Sequence, residues 1–174
     1  MKWIKSGGGP LVCVELELAD SWLGVTGNSI SRGPDRECAN DYERACRVRD
    51  YLGKVSVGNR DALILGDMPL ETMIWHPPGR LPRIVRVFYG DPGVDVTKVL
   101  ESAAELHFDD PAEVLAVEAE STSMVVFDSA YPGSDASVER LSFELPVGRY
   151  VALTKQFLPD DRTSVLVHMF EPTQ

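Results

Sequence analysis

Carboxylate side chains are the groups in this sequence whose type and spacing could do chemistry. Two carboxyl groups at a suitable separation are enough for acid–base hydrolysis of a glycosidic bond. Aspartate is also favoured in turns, because its side chain accepts hydrogen bonds from nearby backbone amides. The aspartates that fall in predicted turns are Asp109, Asp110, Asp128, Asp160 and Asp161. We weigh a structural role above catalysis for these residues and assign none of them as catalytic.

The loop that begins at Asp128 carries more chemistry than the other acidic turns. It places an acid, the hydroxyl of Ser129 and the aromatic ring of Tyr131 directly after a predicted buried strand. Loops held by a rigid sheet are where binding residues concentrate. A structural turn and a binding loop are equally compatible with this pattern, and both alternatives stay open.

The three histidines, at positions 76, 107 and 168, could be acid–base groups or metal ligands. They fall on different predicted elements and lack a partner four residues away, so neither a zinc-binding helix nor a facial triad is indicated. His168 lies in a strand that is apolar on both sides, which predicts a core residue. In one alternative His168 has a catalytic role, in a small hydrolase or sugar-acting enzyme that pairs it with Asp128 or Asp160.

The three cysteines raise the question of a metal site or a disulfide. Cys38 and Cys46 are two helical turns apart, but structural zinc sites need four ligands in closely spaced pairs. We therefore predict buried core thiols, no metal and no cofactor. An odd number of cysteines in a chain of 174 residues also favours reduced thiols, which is typical of the cytoplasm.

Negative charge is concentrated in one part of the chain. Residues 99–139 contain ten Asp or Glu residues and no Lys or Arg, and the net charge of the whole protein is −10. Apolar runs at 114–117 and 124–127 predict that this segment is folded. Such a field repels nucleic acid and anionic membranes and speeds encounters with a basic partner. The candidate partner-binding residues are Asp109, Asp110, Glu118, Glu120, Asp128, Tyr131 and Asp135.

Two helices are predicted to support these residues. Apolar side chains recur at intervals of three and four between Asp35 and Leu52, and Gly53 is a stop signal. A second stripe at helical spacing runs from about Val94 to His107. Residues 15–23 are predicted to form one or two further turns.

Short strands are predicted over most of the remaining chain. They are expected at 11–14, 54–57, 61–65, 71–76, 83–89, 114–119, 123–127, 139–145, 149–158 and 164–170. The fold class is therefore α+β, with a mixed N-terminal part that has two helices and short strands, and a C-terminal antiparallel sheet or small sandwich. A composition shift suggests parts at 1–110 and 111–174, although one compact domain over 1–174 fits equally.

Membrane insertion and export are both disfavoured. No apolar run approaches the roughly 20 residues of a membrane span, and the first residues lack the apolar stretch of a signal peptide. Basic patches interleaved with aromatic residues, which would indicate nucleic-acid binding, are absent from the sequence. We expect a soluble protein of the cytoplasm.

The chain resembles the immunity protein 21 family over most of its length. The resemblance is carried, in order, by Trp3 with Gly7–Leu11, Asp41–Cys46, Asp50–Gly53, Ala62–Asp67, Phe127–Gly133, Gly148–Tyr150 and Pro159–Ser164. The chain departs from the family pattern at Asn28–Glu37, at Pro77–Pro82 and at Arg49, where an acid is more usual.

The resemblance implies a bacterial immunity protein of mixed α and β structure that protects the producing cell by binding a polymorphic toxin domain. It implies no catalytic residue. A basic toxin domain would match the acidic segment, since carboxylates can lie where a nuclease binds phosphates. The alternatives are the hydrolase described above and a β-rich domain that binds a small ligand.

Overall fold

The protein is mostly β structure, built from two five-stranded antiparallel sheets. The computed structural model describes residues 1–66, 70–90, 94–103 and 110–173, with 46% strand and 15% helix. The strands are β1 Leu11–Glu15, β2 Leu52–Val57, β3 Arg60–Leu65, β4 Glu71–Trp75, β5 Arg83–Gly90, β6 Glu113–Ala119, β7 Ser123–Asp128, β8 Arg140–Glu144, β9 Gly148–Asp160 and β10 Thr163–Pro172. This content of strands with a few helices is consistent with the predicted α+β class.

The strand order mixes the two halves of the sequence. The first sheet has the order β2-β3-β1-β7-β8 and the second has the order β4-β5-β10-β9-β6. β1 is central in the first sheet, where Glu15 lies opposite Met124 and Leu11 lies opposite both Leu65 and Asp128. The C-terminal strands therefore do not form a sheet of their own, which corrects that part of the prediction, and residue 110 does not separate the two sheets.

The main core lies between the two sheets. Leu63 and Val126 contribute from the first sheet, and Tyr150 contributes from the second. The rings of Phe143 and Phe170 stack across the interface with centroids 6.2 Å apart. Alternation of apolar and polar residues along β8 places Phe143 inward, as its sequence predicts.

The outer face of each sheet is also covered. Trp22, which follows a 3-10 helix at Leu16–Ser21, packs with Ala45 against Val12 and Phe127 of the first sheet. The second helix, α2 (Val96–Ala103), packs Leu100 against the second sheet. Strands such as β1 are therefore buried on both sides, which explains their uninterrupted apolar sequence.

The first helix is much shorter than predicted. Further 3-10 helices occur at Gly24–Thr26 and Pro34–Glu37, and α1 spans only Asp41–Cys46. Its boundary is set by Asn40, whose side chain accepts a hydrogen bond from the amide of Glu43 at 2.8 Å. The part of the second predicted helix at 104–107 lies outside the described residues.

A carboxylate joins the edges of the two sheets. Glu113, at the start of β6, accepts hydrogen bonds from the backbone amides of Tyr51 at 2.7 Å and Leu52 at 2.8 Å. This acid of the negatively charged segment therefore satisfies backbone amides at the start of β2, which is an edge strand of the first sheet. Among the described helices, none combines the length and the apolar character needed to cross a membrane.

Candidate functional site

The loop after Asp128 lies directly against the glycine-rich segment at Gly7–Gly9. The amide of Gly7 donates to Asp128 Oδ2 at 2.7 Å, and the amide of Ala130 donates to Oδ1 at 2.9 Å. The hydroxyl of Ser129 donates to the carbonyl of Pro10 at 2.6 Å. Asp128 is only 8% exposed. Its carboxylate therefore fixes the two loops to each other.

Tyr131 projects from this paired structure and lines two neighbouring concavities. Its side chain is 47% exposed. On one side is a cavity of about 540 Å³, lined mainly by Gly7–Gly9, Val25, Tyr42 and Pro132. On the other is a groove of about 380 Å³. We call the surface formed by Lys5–Gly9, Val25, Tyr42, Asp128–Pro132 and Ser137–Glu139 the glycine-loop end.

Close packing keeps the glycine-loop end in place. A Cβ atom on Gly9 would lie 2.3 Å from the hydroxyl oxygen of Tyr42, so no other residue fits there without movement. Gly8 has φ +131°, a backbone conformation that residues with a side chain rarely adopt. The indole nitrogen of Trp22, which packs on the outer face of the first sheet, donates a hydrogen bond to the backbone carbonyl of Ser129 at 2.9 Å. The loops are therefore supported by the core of the first sheet.

Two of the predicted binding residues lie elsewhere, beside the turn from β6 to β7. Glu120 forms an ion pair with Arg60 at 3.0 Å, and Glu118 forms one with Arg149 at 3.3 Å. The guanidinium of Arg60 also contacts Glu15 and Glu17. A cleft of about 310 Å³ is bordered by the residues named above other than Glu17. We call Glu15, Glu17, Arg60, Glu118 and Glu120 the carboxylate end.

Counted with Lys54, Asp61 and Arg149, which line the same cleft, the carboxylate end has five acids against three basic residues. Three glutamates surround Arg60, and its pKa is raised by hydrogen bonds to Glu17 and then Glu15. Glu15 is buried and also accepts hydrogen bonds from the backbone of the β6–β7 turn, including the amide of Ser121 at 3.0 Å. Glu17 and Glu120 are exposed. This end therefore offers carboxylates to solvent on a fixed support.

Four of the predicted residues fall on these two surfaces: Asp128 and Tyr131 at the glycine-loop end, and Glu118 and Glu120 at the carboxylate end. The strand between the two ends, β7, spans about five residue steps, roughly 17 Å. Asp135 belongs to the same loop as Tyr131, and hydrogen bonds from Ser137 lower its pKa. Asp110 is exposed before β6, and Asp109 lies outside the described residues.

His168 is placed for a structural role. It is completely buried, and its Nδ1 forms a hydrogen bond with the hydroxyl of Thr154 at 2.9 Å. Burial, with a smaller effect of Arg86, lowers the pKa of His168 to about 3. Asp160 lies opposite Thr163, five residues along β10 and roughly 17 Å away. No carboxylate is among the hydrogen-bond partners of His168 in the described part of the chain.

The cysteines and the acids do not assemble into a metal site within the described ranges. Cys13 and Cys38 are buried and Cys46 is half-buried, and none forms a disulfide. Burial raises the pKa of the Cys13 thiol to about 12. In the same ranges, no group of three or more His, Cys, Asp or Glu side chains could hold a metal ion.

Several residues of both surfaces could not be selected from the sequence. Gly7–Gly9 and Val25 have no ionisable or nucleophilic side chain and belong to no binding motif that the sequence shows. Glu15, Glu17 and Arg60 lie far outside the acidic segment, and the contacts of Arg60 with Glu15 and Glu17 span more than 40 residues. No local pattern marks these contacts, because they depend on the pairing of β1 with β3 and β7.

The fold and its surfaces define a class of protein, a β protein of two packed sheets with exposed loops. Its buried histidine, His168, is separated from Asp160. Within that class the chain belongs to the Immunity protein 21 family, whose model matches residues 2–163. The resemblance drawn from the sequence is thereby confirmed. No curated protein and no solved structure matches the chain.

Proposed function

We propose that this protein is a non-catalytic immunity protein that binds a bacterial toxin domain in the cytoplasm and neutralises it. The observation that carries the proposal is the match of the Immunity protein 21 family over residues 2–163. The burial of His168 and its separation from Asp160 support a binding role over hydrolysis. The three cysteines, none in a disulfide, suit a reducing compartment.

The carboxylate end supports a basic toxin domain as the partner. Glu17 and Glu120 share the positive charge of Arg60 with the buried Glu15, so their combined charge is not balanced locally. Exposed carboxylates at the rim of an interface mainly increase the rate of association with a cationic partner. They would occupy the positions that phosphates take in a nuclease toxin.

Co-expression tests the function itself. The toxin domain is to be sought as the product of the neighbouring gene. Cells that produce it should survive when this protein is present and die when it is absent. The purified protein should also form a stable complex with a catalytically inactivated form of that domain. Equal killing with and without the protein, together with no complex in solution, would show that the proposed function is wrong.

Charge neutralisation tests the contribution of the carboxylate end. The double variant Glu17→Gln/Glu120→Gln should slow association by about threefold to tenfold at low salt and flatten its salt dependence. The control Asp160→Asn/Asp161→Asn removes the same charge from the exposed β9–β10 turn and should leave the rate unchanged. Equal effects of both pairs would point to net charge and would exclude a local contact.

A further inference from the structure

The groove beside Tyr131 contains a polar atom that lacks a partner. Ser6 lines this groove and is 6% exposed, and its Oγ has no hydrogen-bond partner among the described residues. A buried hydroxyl without a partner is unfavourable, because it has lost water and gained no replacement. The Oγ atom itself is shielded from solvent in the free protein. It can bond to a group that enters the groove once the Ser6 side chain rotates towards it.

Two charged residues of the same groove are also available. Lys5 and Glu139 both line it and both are exposed. In the part of the chain that the structure describes, neither side chain forms an ion pair. The groove therefore offers a cation, a hydroxyl and a carboxylate, which suit a segment that carries both hydrogen-bonding groups and a basic side chain.

The cavity on the other side of Tyr131 is apolar. Val25 is 53% exposed there, and the rings of Tyr42, Tyr131 and Pro132 form much of the remaining wall. Exposed aromatic and aliphatic side chains around a concavity are typical anchor sites of protein interfaces. The cavity opens broadly to solvent, which suits a side chain of a protein partner better than an enclosed small molecule.

We propose that the glycine-loop end binds an extended loop of the toxin domain that straddles Tyr131. An apolar side chain of that loop enters the cavity beside Val25, and a basic side chain pairs with Glu139. A backbone carbonyl of the loop accepts hydrogen bonds from Ser6 and Lys5. The inference rests on the proposed function and adds the chemistry of the segment that is recognised.

The carboxylate end lies at the opposite end of β7, roughly 17 Å along the strand. Charged groups outside the area of direct contact still steer association, so the carboxylate end can act without contacting the recognised loop. We assign the glycine-loop end to the strength of binding and the carboxylate end to its rate, because buried anchors mainly slow dissociation.

Ser6→Ala separates a binding role from a structural one. Removal of a buried hydroxyl without a partner should leave the unfolding midpoint of the free protein unchanged or slightly higher. Affinity for the inactivated toxin domain, measured by calorimetry, should fall by about fivefold to tenfold. Unchanged affinity would show that Ser6 has no partner in the complex and would overturn the groove contact.

Val25→Asp tests the apolar cavity with a closely matched control. A carboxylate at the cavity wall should weaken binding by at least about tenfold, and Tyr131→Ala should do the same. Leu158→Asp changes an aliphatic residue of the same exposed fraction, 53%, on β9, and should bind like the wild type. A weaker complex for Leu158→Asp than for Val25→Asp would contradict the assigned location.

The outcomes distinguish this inference from the proposed function. If the wild-type protein neither binds nor neutralises the toxin domain, the proposed function is wrong. If the wild type binds, and Ser6→Ala, Val25→Asp and Tyr131→Ala all bind equally well, only the glycine-loop contact is wrong. Charge reversal by Glu139→Lys adds a check, because it should weaken binding if the loop brings a basic side chain.

Discussion

The carboxylate of Asp128 accepts a hydrogen bond from the backbone amide of Gly7 at 2.7 Å, across 121 positions of the sequence. This contact ties the end of β7 to the segment that precedes β1. Because Tyr131 follows Asp128 closely and Ser6 precedes Gly7, the same bond sets the position of Tyr131 relative to the groove that Ser6 lines. Asp128, which the charge pattern predicts as a surface residue, thus holds two segments of the protein together.

Loss of the Asp128 carboxylate should destabilise the fold and loosen the glycine loop. Asp128→Ala leaves the amides of Gly7 and Ala130 without their acceptor, so we expect a loss of about 1–3 kcal/mol in the free energy of unfolding. Urea denaturation measures the loss, and hydrogen exchange at Gly7 should become faster. Asp135→Ala is the control, since the hydrogen bonds that Asp135 accepts from Ser137 are exposed. An equal loss of stability in that variant would argue against the special role of Asp128.

A fully buried ion pair holds the loop before α1. The guanidinium of Arg44 and the carboxylate of Asp41 are 2.5 Å apart, and both side chains are fully buried. The same carboxylate accepts hydrogen bonds from the backbone amides of Leu23 and Ser29, each at 2.8 Å. Arg44→Met would leave a buried carboxylate without its cation, and we expect it to cost about 3–5 kcal/mol in urea denaturation.

The exposed pair on the same helix provides the comparison for that prediction. Arg47 and Glu43 are 3.0 Å apart and both are partly open to solvent. Arg47→Met should therefore cause no measurable loss of stability, because exposed pairs contribute little. A similar loss for Arg44→Met and Arg47→Met would show that the burial of the Asp41 pair does not matter.

Arg60 should be essential to the stability of the carboxylate end. Arg60→Met leaves Glu15, Glu17 and Glu120 close together without a cation, so the thermal unfolding midpoint should fall. Neutralising the buried acid by Glu15→Gln in that background should raise the midpoint again, because it removes part of the repulsion. Arg149→Met, at a more exposed pair, should leave the midpoint unchanged. Failure of Glu15→Gln to rescue would contradict an electrostatic cause.

Acid should destabilise the protein through His168. Its folded-state pKa of about 3 lies below the ordinary value of 6.5, so between these values the unfolded chain binds a proton that the folded protein does not. The contribution to stability is complete above pH 6.5. It falls as the pH is lowered from 6.5 towards 3, by up to about 1.4 kcal/mol per pH unit.

Variants of two histidines isolate that effect from the titration of carboxylates. His168→Gln keeps a polar group beside Thr154 but removes the titration, so its urea midpoint should decline less steeply between pH 6.5 and 4 than that of the wild type. His76→Gln, at an exposed position, should follow the wild-type curve. Parallel curves for wild type and His168→Gln would show that His168 does not govern acid sensitivity.

Local patterns in the sequence predict the secondary structure well. The alternation of Leu141 and Phe143 with Ser142 and Glu144 predicts β8, because side chains point to opposite faces at every second residue. The helix predicted from Asp35 failed, since Asn40 caps a new helix within the periodic stretch. A periodic pattern shows which side chains are apolar, but the capping side chain decides where the helix begins.

By itself, the sequence determined the positions of the strands and the family resemblance. It also marked the loop from Asp128 to Tyr131 as a candidate binding loop. Only the tertiary structure decided which carboxylates face a partner and which serve the fold. Charge counted along a chain does not specify distances between residues more than a hundred positions apart. Strand pairing brings Glu15 and Arg60 to Glu120, and Gly7 to Asp128. An acidic stretch that looks continuous in sequence is therefore distributed in space: Glu118 and Glu120 lie near one end of β7, Asp128 at the other, and Glu113 against the edge of β2.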